Sequence, residues 1–142
     1  MRRPIGQLLA ALVICTAMGG ATMAQSLSEL QWQNRVLILF GTDGTAIEEQ
    51  SSELLTGRDA LAERDMLVFT VAGDRLDPVY GPVPDGEDAQ SLRARFGVDP
   101  AAPFTAILIG KDGQEKWRAD SVVPRAEIEA VIDAMPMRRA GR

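Results

Sequence analysis

The chain has no histidine, and its one cysteine, Cys15, lies in an apolar run near the N-terminus. Each absence removes chemistry. Thiol redox cycling, disulfide exchange and cysteine- or histidine-based nucleophilic triads lack their central residue. Structural zinc sites lose their two usual ligands. A general base would have to be a carboxylate, a lysine or the single tyrosine. The residues therefore assign no catalytic group, no metal site and no cofactor. An oxidising compartment permits disulfides without requiring them, so stability falls to the core alone.

Basic charge is also scarce, with 15 Lys and Arg against 20 Asp and Glu and a formal charge of −5. That balance argues against nucleic acid, which needs a basic patch, and against adhesion to anionic lipid. Solubility is its plain explanation. Long apolar runs are lacking as well. Leu8 to Ala17 is the best candidate, and it is shorter than the roughly 20 residues a bilayer crossing needs. Arg2 and Arg3 precede this run, and Thr22-Met23-Ala24 follows it with the small side chains that signal peptidase accepts. Residues 1–24 thus read as a cleavable signal peptide. Cys15 follows Ile14, which is bulkier than a lipoprotein cleavage site tolerates, so it reads as filler of the apolar run. The remainder, residues 25–142, reads as a single domain that is exported, periplasmic or secreted, with no stable membrane insertion after cleavage. Two basic residues leave with the peptide, so 13 remain against 20 acidic ones and the formal charge becomes −7. The remaining length can bury a core that removes about 65% of the unfolded surface.

Val36 to Phe40 is a continuous apolar run ending at Gly41, the pattern of a central strand buried on both faces. Thr42, Asp43 and Thr45 are plausible caps for a helix running through Leu55, with Ile47, Leu54 and Leu55 as its sparse apolar positions. Asp59 to Arg64 adds a helical turn, and Met66 to Val71 is a second buried strand. Residues 73–88 hold Gly73, Pro78, Gly81, Pro82, Pro84 and Gly86, and read as a long surface loop. Asp88 caps a short helix with Leu92 and Phe96 on one face and Gly97 at its end. Phe104 to Ile109 is a third strand, Lys111-Asp112-Gly113 a tight turn, and Gln114 to Arg118 a more polar fourth strand. Pro124 opens the last helix, in which Ile128, Val131, Ile132 and Met135 form an apolar stripe that Pro136 stops. The expected fold is α/β and thioredoxin-like. It has a mixed central sheet of about four strands flanked by helices on both faces, its first two strands parallel.

Several segments carry a closer likeness: W-x-x-R-V-L-I-L-F from Trp32 through Arg35 to Phe40, Glu63-Arg64-Asp65, Leu108 to Gly113 with Lys116, and Ile132 to Arg138. Over about residues 27–139 the chain resembles the domain of unknown function 4174 family. That is a thioredoxin- or peroxiredoxin-like domain of exported bacterial proteins and some extracellular matrix proteins. The resemblance implies a fold and an export route, and carries no reaction. Thioredoxins hold their redox cysteines just after the first central strand, where this chain has Gly41-Thr42-Asp43-Gly44-Thr45-Ala46. They also place a cis-proline before the third central strand. Pro103 matches that position, and its isomer is open at this level.

Each candidate site has a plain counterpart. Thr42, Asp43 and Thr45 could form a polar pocket at a helix N-terminus for an anion or carbonyl oxygen, or could simply cap the helix. Pro103 is either one wall of a peptide groove or turn geometry. Lys111, Asp112, Lys116 and Arg118 cluster at one hairpin, either as surface ion pairs or as a partner surface anchored by Trp117. Trp32 is expected to cover the end of the sheet, and Arg35 to pair structurally. Arg138, with Met135, Met137 and Arg139, forms a tail that either ends a helix or meets a partner. Asp85, Glu87 and Asp88 lack the spacing of a calcium loop and read as a solvated acidic stretch.

The function expected from these residues is a thioredoxin-like module without redox cysteines, non-enzymatic, binding an envelope protein or peptide. It is not expected to be a thiol oxidoreductase or peroxidase. The alternative is a cysteine-independent enzyme, or a small-molecule or anion-binding protein, that uses the loop after the first strand near Pro103. No oligomeric state is specified by these features.

Overall fold

The computed structural model describes residues 26–136. The elements are α1 (Leu27–Leu30), β1 (Arg35–Phe40), α2 (Gly44–Leu55), α3 (Arg58–Glu63), β2 (Met66–Ala72) and β3 (Arg75–Tyr80). They continue with α4 (Ala89–Phe96), β4 (Thr105–Ile109), β5 (Glu115–Ala119) and α5 (Arg125–Asp133). The strands form one sheet in the order β3-β2-β1-β4-β5. Only β1 and β2 run parallel, with Val36 beside Leu67 and Ile38 beside Phe69; the other pairs are antiparallel. The thioredoxin-like expectation holds, with five strands in place of about four.

The run of uninterrupted apolar residues in β1 follows from its central place. All six of its residues are buried, because both faces of the sheet are covered. Leu37, Leu39, Met66, Val68, Ala106 and Leu108 point to one face, where Leu54 of α2, Leu61 of α3 and Ile128 and Ile132 of α5 pack on them. Val36, Ile38, Phe40, Phe69 and Ile107 point to the other, against Leu27 and Leu30 of α1 and Leu92 and Phe96 of α4. Each large side chain buried this way contributes about 1.5–3 kcal/mol.

Local signals set the element ends as expected. Asp43 caps α2, Asp88 caps α4 by accepting from the Ser91 amide at 2.8 Å, and Gly97 closes α4 in the left-handed conformation. Pro124 sits at the cap of α5, one place before its first turn. The scarcity of apolar residues in α2 is offset by Gln50, which is fully buried. Its amide donates to the Val123 carbonyl at 3.0 Å and accepts from the Val123 amide at 2.9 Å. The helix is thereby fastened to the segment leading into α5.

Two expectations are corrected. Residues 75–80, read as part of a long loop, form the edge strand β3, folded back on β2 through a turn at Gly73. Pro78 is tolerated because an edge strand has one side with no ladder bond to make. A bulge opposite Val68 and Phe69 turns the strand so that Leu76 meets one core and Val79 and Tyr80 meet the other. Trp32 does not cover the sheet: it is 63% exposed and has a left-handed φ of 70°. Its amide bonds to the Lys111 carbonyl at 2.5 Å, which holds the α1–β1 connection against the β4–β5 hairpin instead.

Candidate functional site

The loop after β1 is closed by backbone contacts. The Thr42 amide donates to the Ala102 carbonyl at 3.2 Å and the Asp43 amide to the Pro103 carbonyl at 3.0 Å. Gly41 lies so close to that strand entry that a Cβ on it would collide with the Pro103 carbonyl oxygen and stand 3.2 Å from the Phe104 Cα. The Asp43 carboxylate accepts from the Thr45 amide at 3.0 Å and the Ala46 amide at 3.3 Å, so these two amides of the α2 N-terminus are taken by the chain itself. No peptide bond among the described residues is cis, so Pro103 is joined in trans, unlike the thioredoxin proline. Thr42, Asp43 and Pro103 are thus brought together. With Thr45 they stand exposed around a loop whose polar groups cap and latch.

The second cluster divides. Trp117 stands opposite Leu108 and packs half-buried on the core beside α5. Arg118 turns to the opposite face, where it grips both oxygens of Glu115, at 2.8 and 3.0 Å, and the Phe96 carbonyl at the end of α4. The Glu115 carboxylate raises the already high pKa of that guanidinium. Arg138, with Met137 and Arg139, lies outside the described residues, as do residues 1–24, expected above to be a signal peptide, and Cys15 among them. Two residues of the acidic stretch are engaged within the chain: Glu87 accepts from the distant Leu27 amide at 3.1 Å, and Asp88 spends its oxygens on Ser91.

Lys111 and Lys116 meet at a cavity of about 220 Å³ lined by Arg35, Gly110, Lys111, Asp112, Lys116, Met135 and Pro136. It lies at the end of the sheet remote from Gly41, since β1 begins at Arg35 and ends at Phe40. A bulge makes it. Leu108 pairs with Trp117 and Ile109 with Glu115, which leaves Lys116 as the extra residue. Its stem crosses Gly110, where a Cβ would lie 2.7 Å from the Lys116 Cε. The Lys116 ammonium donates to Asp112 at 2.5 Å, and that bond holds the Asp112 carboxyl below the usual aspartate range. Lys111 donates to Asp65 at 2.7 Å. Arg35 is 3% exposed and donates to the Arg64 carbonyl at 2.9 Å. Arg64 in turn makes a two-pronged bond to Asp133 of α5, at 3.1 and 2.8 Å, which raises its pKa further.

Sequence reasoning gave Arg35 only a structural part and did not join it to Lys111 and Lys116. The available signal was a charge opening an otherwise apolar strand. Wider grooves exist, such as one of about 540 Å³ lined by Glu49, Ser52 and Glu53. There Glu53 already accepts from the Arg125 amide at 3.0 Å, and the lining offers no cation.

The described fold is similar to the crystal structure of a reduced 2-Cys peroxiredoxin from Plasmodium vivax. The TM-score is 0.52 and the identity 18%, over 80% of this chain and 84% of that one. At that identity the likeness is one of fold. No curated protein matches the chain in sequence. The family described as "Domain of unknown function (DUF4174)" matches residues 26–141, every strand and helix of the sheet and its covering layers included. The chain belongs to that family.

Proposed function

We propose that this chain is an exported thioredoxin-like module that acts by binding a protein or peptide, without thiol or peroxide chemistry. One observation carries the proposal: the segment after β1 is Gly41-Thr42-Asp43-Gly44-Thr45-Ala46, with the amides of Thr42, Asp43, Thr45 and Ala46 and the Asp43 carboxylate engaged in capping and in bonds to Ala102 and Pro103. A thiol is missing there, and backbone already fills the space beside Pro103. The surface left for a partner is the hairpin pole, where Lys111, Lys116 and the half-buried Trp117 lie. Interfaces favour Trp and Arg as anchors.

The test has two parts. The full chain, as expressed and processed, is assayed for disulfide reduction and peroxide turnover, and both rates are expected to equal the buffer rate. A photo-crosslinking residue is then placed at Gln114, on the exposed hairpin tip, and separately at Asp59 on α3. A discrete adduct from the Gln114 position in envelope extract, missing from the Asp59 position, is the expected result. Peroxide turnover, or adducts that do not depend on position, would overturn the proposal.

A further inference from the structure

Aspartate precedes glycine at three places, Asp43-Gly44, Asp85-Gly86 and Asp112-Gly113. At such a pair a side-chain carboxyl can reach the next main-chain nitrogen with little hindrance, because glycine sets no Cβ beside it. The fold holds two of the three. Asp43 accepts from the Thr45 and Ala46 amides, and Gly44 is fixed as the first residue of α2. Asp112 accepts from the Gln114 amide at 3.0 Å and from Lys116, while the Gly113 amide donates to the Gly110 carbonyl at 3.0 Å. The third is free. Asp85 is exposed in the turn between β3 and α4, and among the described residues no hydrogen bond or ion pair engages its carboxylate. Gly86 has a left-handed φ of 75°, gives its amide to no described residue, and faces open space where a Cβ would stand. The neighbours of this pair are anchored: Pro84 is buried, and Glu87 accepts from the Leu27 amide of α1 at 3.1 Å.

We propose that Asp85-Gly86 is a site of spontaneous backbone modification, where aspartate becomes isoaspartate and the bond from Glu87 to α1 is loosened. The Gly86 nitrogen attacks Cγ of the protonated Asp85 carboxyl. A C–N bond forms, a carboxyl C–O bond breaks, and the amide proton departs with the hydroxyl as water. Water then reopens the succinimide ring. Attack at Cγ restores aspartate, whereas attack at the main-chain carbonyl carbon gives isoaspartate. No oxidant, reductant or further reactant enters. Isoaspartate lengthens the main chain by a methylene two residues before Glu87, which shifts the carboxylate that holds the Leu27 amide. At Asp43 and Asp112 the carboxylate must first give up its hydrogen bonds, so the same ring closes more slowly.

The full chain, as expressed and processed, is aged in warm, mildly acidic buffer. Samples are digested with an endoproteinase that cuts before aspartate and leaves isoaspartate uncut, and the peptides are identified by mass spectrometry. Uncut chain across position 85 is expected to accumulate with time, and uncut chain at positions 43 and 112 to accumulate about tenfold more slowly or less. In concentrated urea, where the fold no longer holds any of the three pairs, their rates are expected to converge. Asp85→Glu is expected to abolish the product at this position, since its ring would need one more carbon and closes far more slowly. The side chain is exposed and unpartnered, so the unfolding curve of that variant is expected to overlay the parent. Hydrogen exchange at the Leu27 amide is expected to be faster in the aged parent than in equally aged Asp85→Glu. Conversion at equal rates in the folded chain, a preference for position 85 that persists in urea, or no conversion there would overturn the proposal. Equal Leu27 exchange in the two aged proteins would overturn it as well.

Discussion

Gly41 is required by proximity and not by conformation: its φ is negative, but a side chain would meet the backbone of Pro103 and Phe104. Backbone cannot step aside as a flexible side chain does. Gly41→Ala is therefore expected to lower stability by about 1–3 kcal/mol, read as a fall in the denaturant midpoint at unchanged slope. Gly110 has a different neighbour, the mobile stem of Lys116, so the same substitution there displaces that lysine and leaves the fold standing. The Lys116–Asp112 pair also sets a pH dependence. Asp112 titrates below its unfolded value because the lysine bonds to its charged form. Its contribution is present above the ordinary aspartate pKa and is lost as pH falls through the lower folded value. The pair is partly exposed, so the contribution is small. In Lys116→Gln the parent's loss of stability below the ordinary aspartate range should flatten slightly; identical acid limbs in parent and variant would contradict the assignment.

At the level of elements, the three inner strands differ from the two outer ones in kind. β1, β2 and β4 have both faces covered and are bonded on both edges, whereas β3 and β5 each have one open edge and many exposed residues. Exchange with solvent needs an opening, and openings are easier at an edge. Amides of Leu37, Leu39, Val68 and Ile107 are expected to exchange slowest, through global unfolding, and those of β3 and β5 orders of magnitude faster. Equal protection of β3 and β1 would show that the edge strand is integral to the cooperative core. Helices α2 and α5 were legible from their caps and from the stripe at Ile128, Val131, Ile132 and Met135. β3 was not, because its Pro78 and the neighbouring glycines resemble loop chemistry, and its strand character comes from pairing with β2. Gln50 was missed for a related reason. A polar residue on the buried face of a helix makes sense only when its partner, here Val123, is known.

For the molecule as a whole, a single cysteine cannot form a disulfide within one chain, so the packing on the two faces of the sheet has to supply the stability. Thermal unfolding of the chain is accordingly expected at one temperature with or without a thiol reductant; a shift beyond the scatter of repeats would contradict this. By itself the sequence determined the buried strands, the helix ends, the absence of a histidine or of a cysteine pair, and the family. These are written in short windows: unbroken apolar runs, capping residues, glycine stops and residue identities. Only the tertiary structure decided that Pro103 is trans, that Trp32 is exposed, and that Trp117 and Arg118 face opposite sides of the sheet. It also decided that Arg35, the Gly110–Lys116 hairpin and the end of α5 enclose one cavity. Those residues are far apart along the chain, and a strand bulge together with the docking of α5 brings them together. Periodicity fixes which face a residue takes along its own element, whereas a cavity between elements exists only after the sheet has chosen its order.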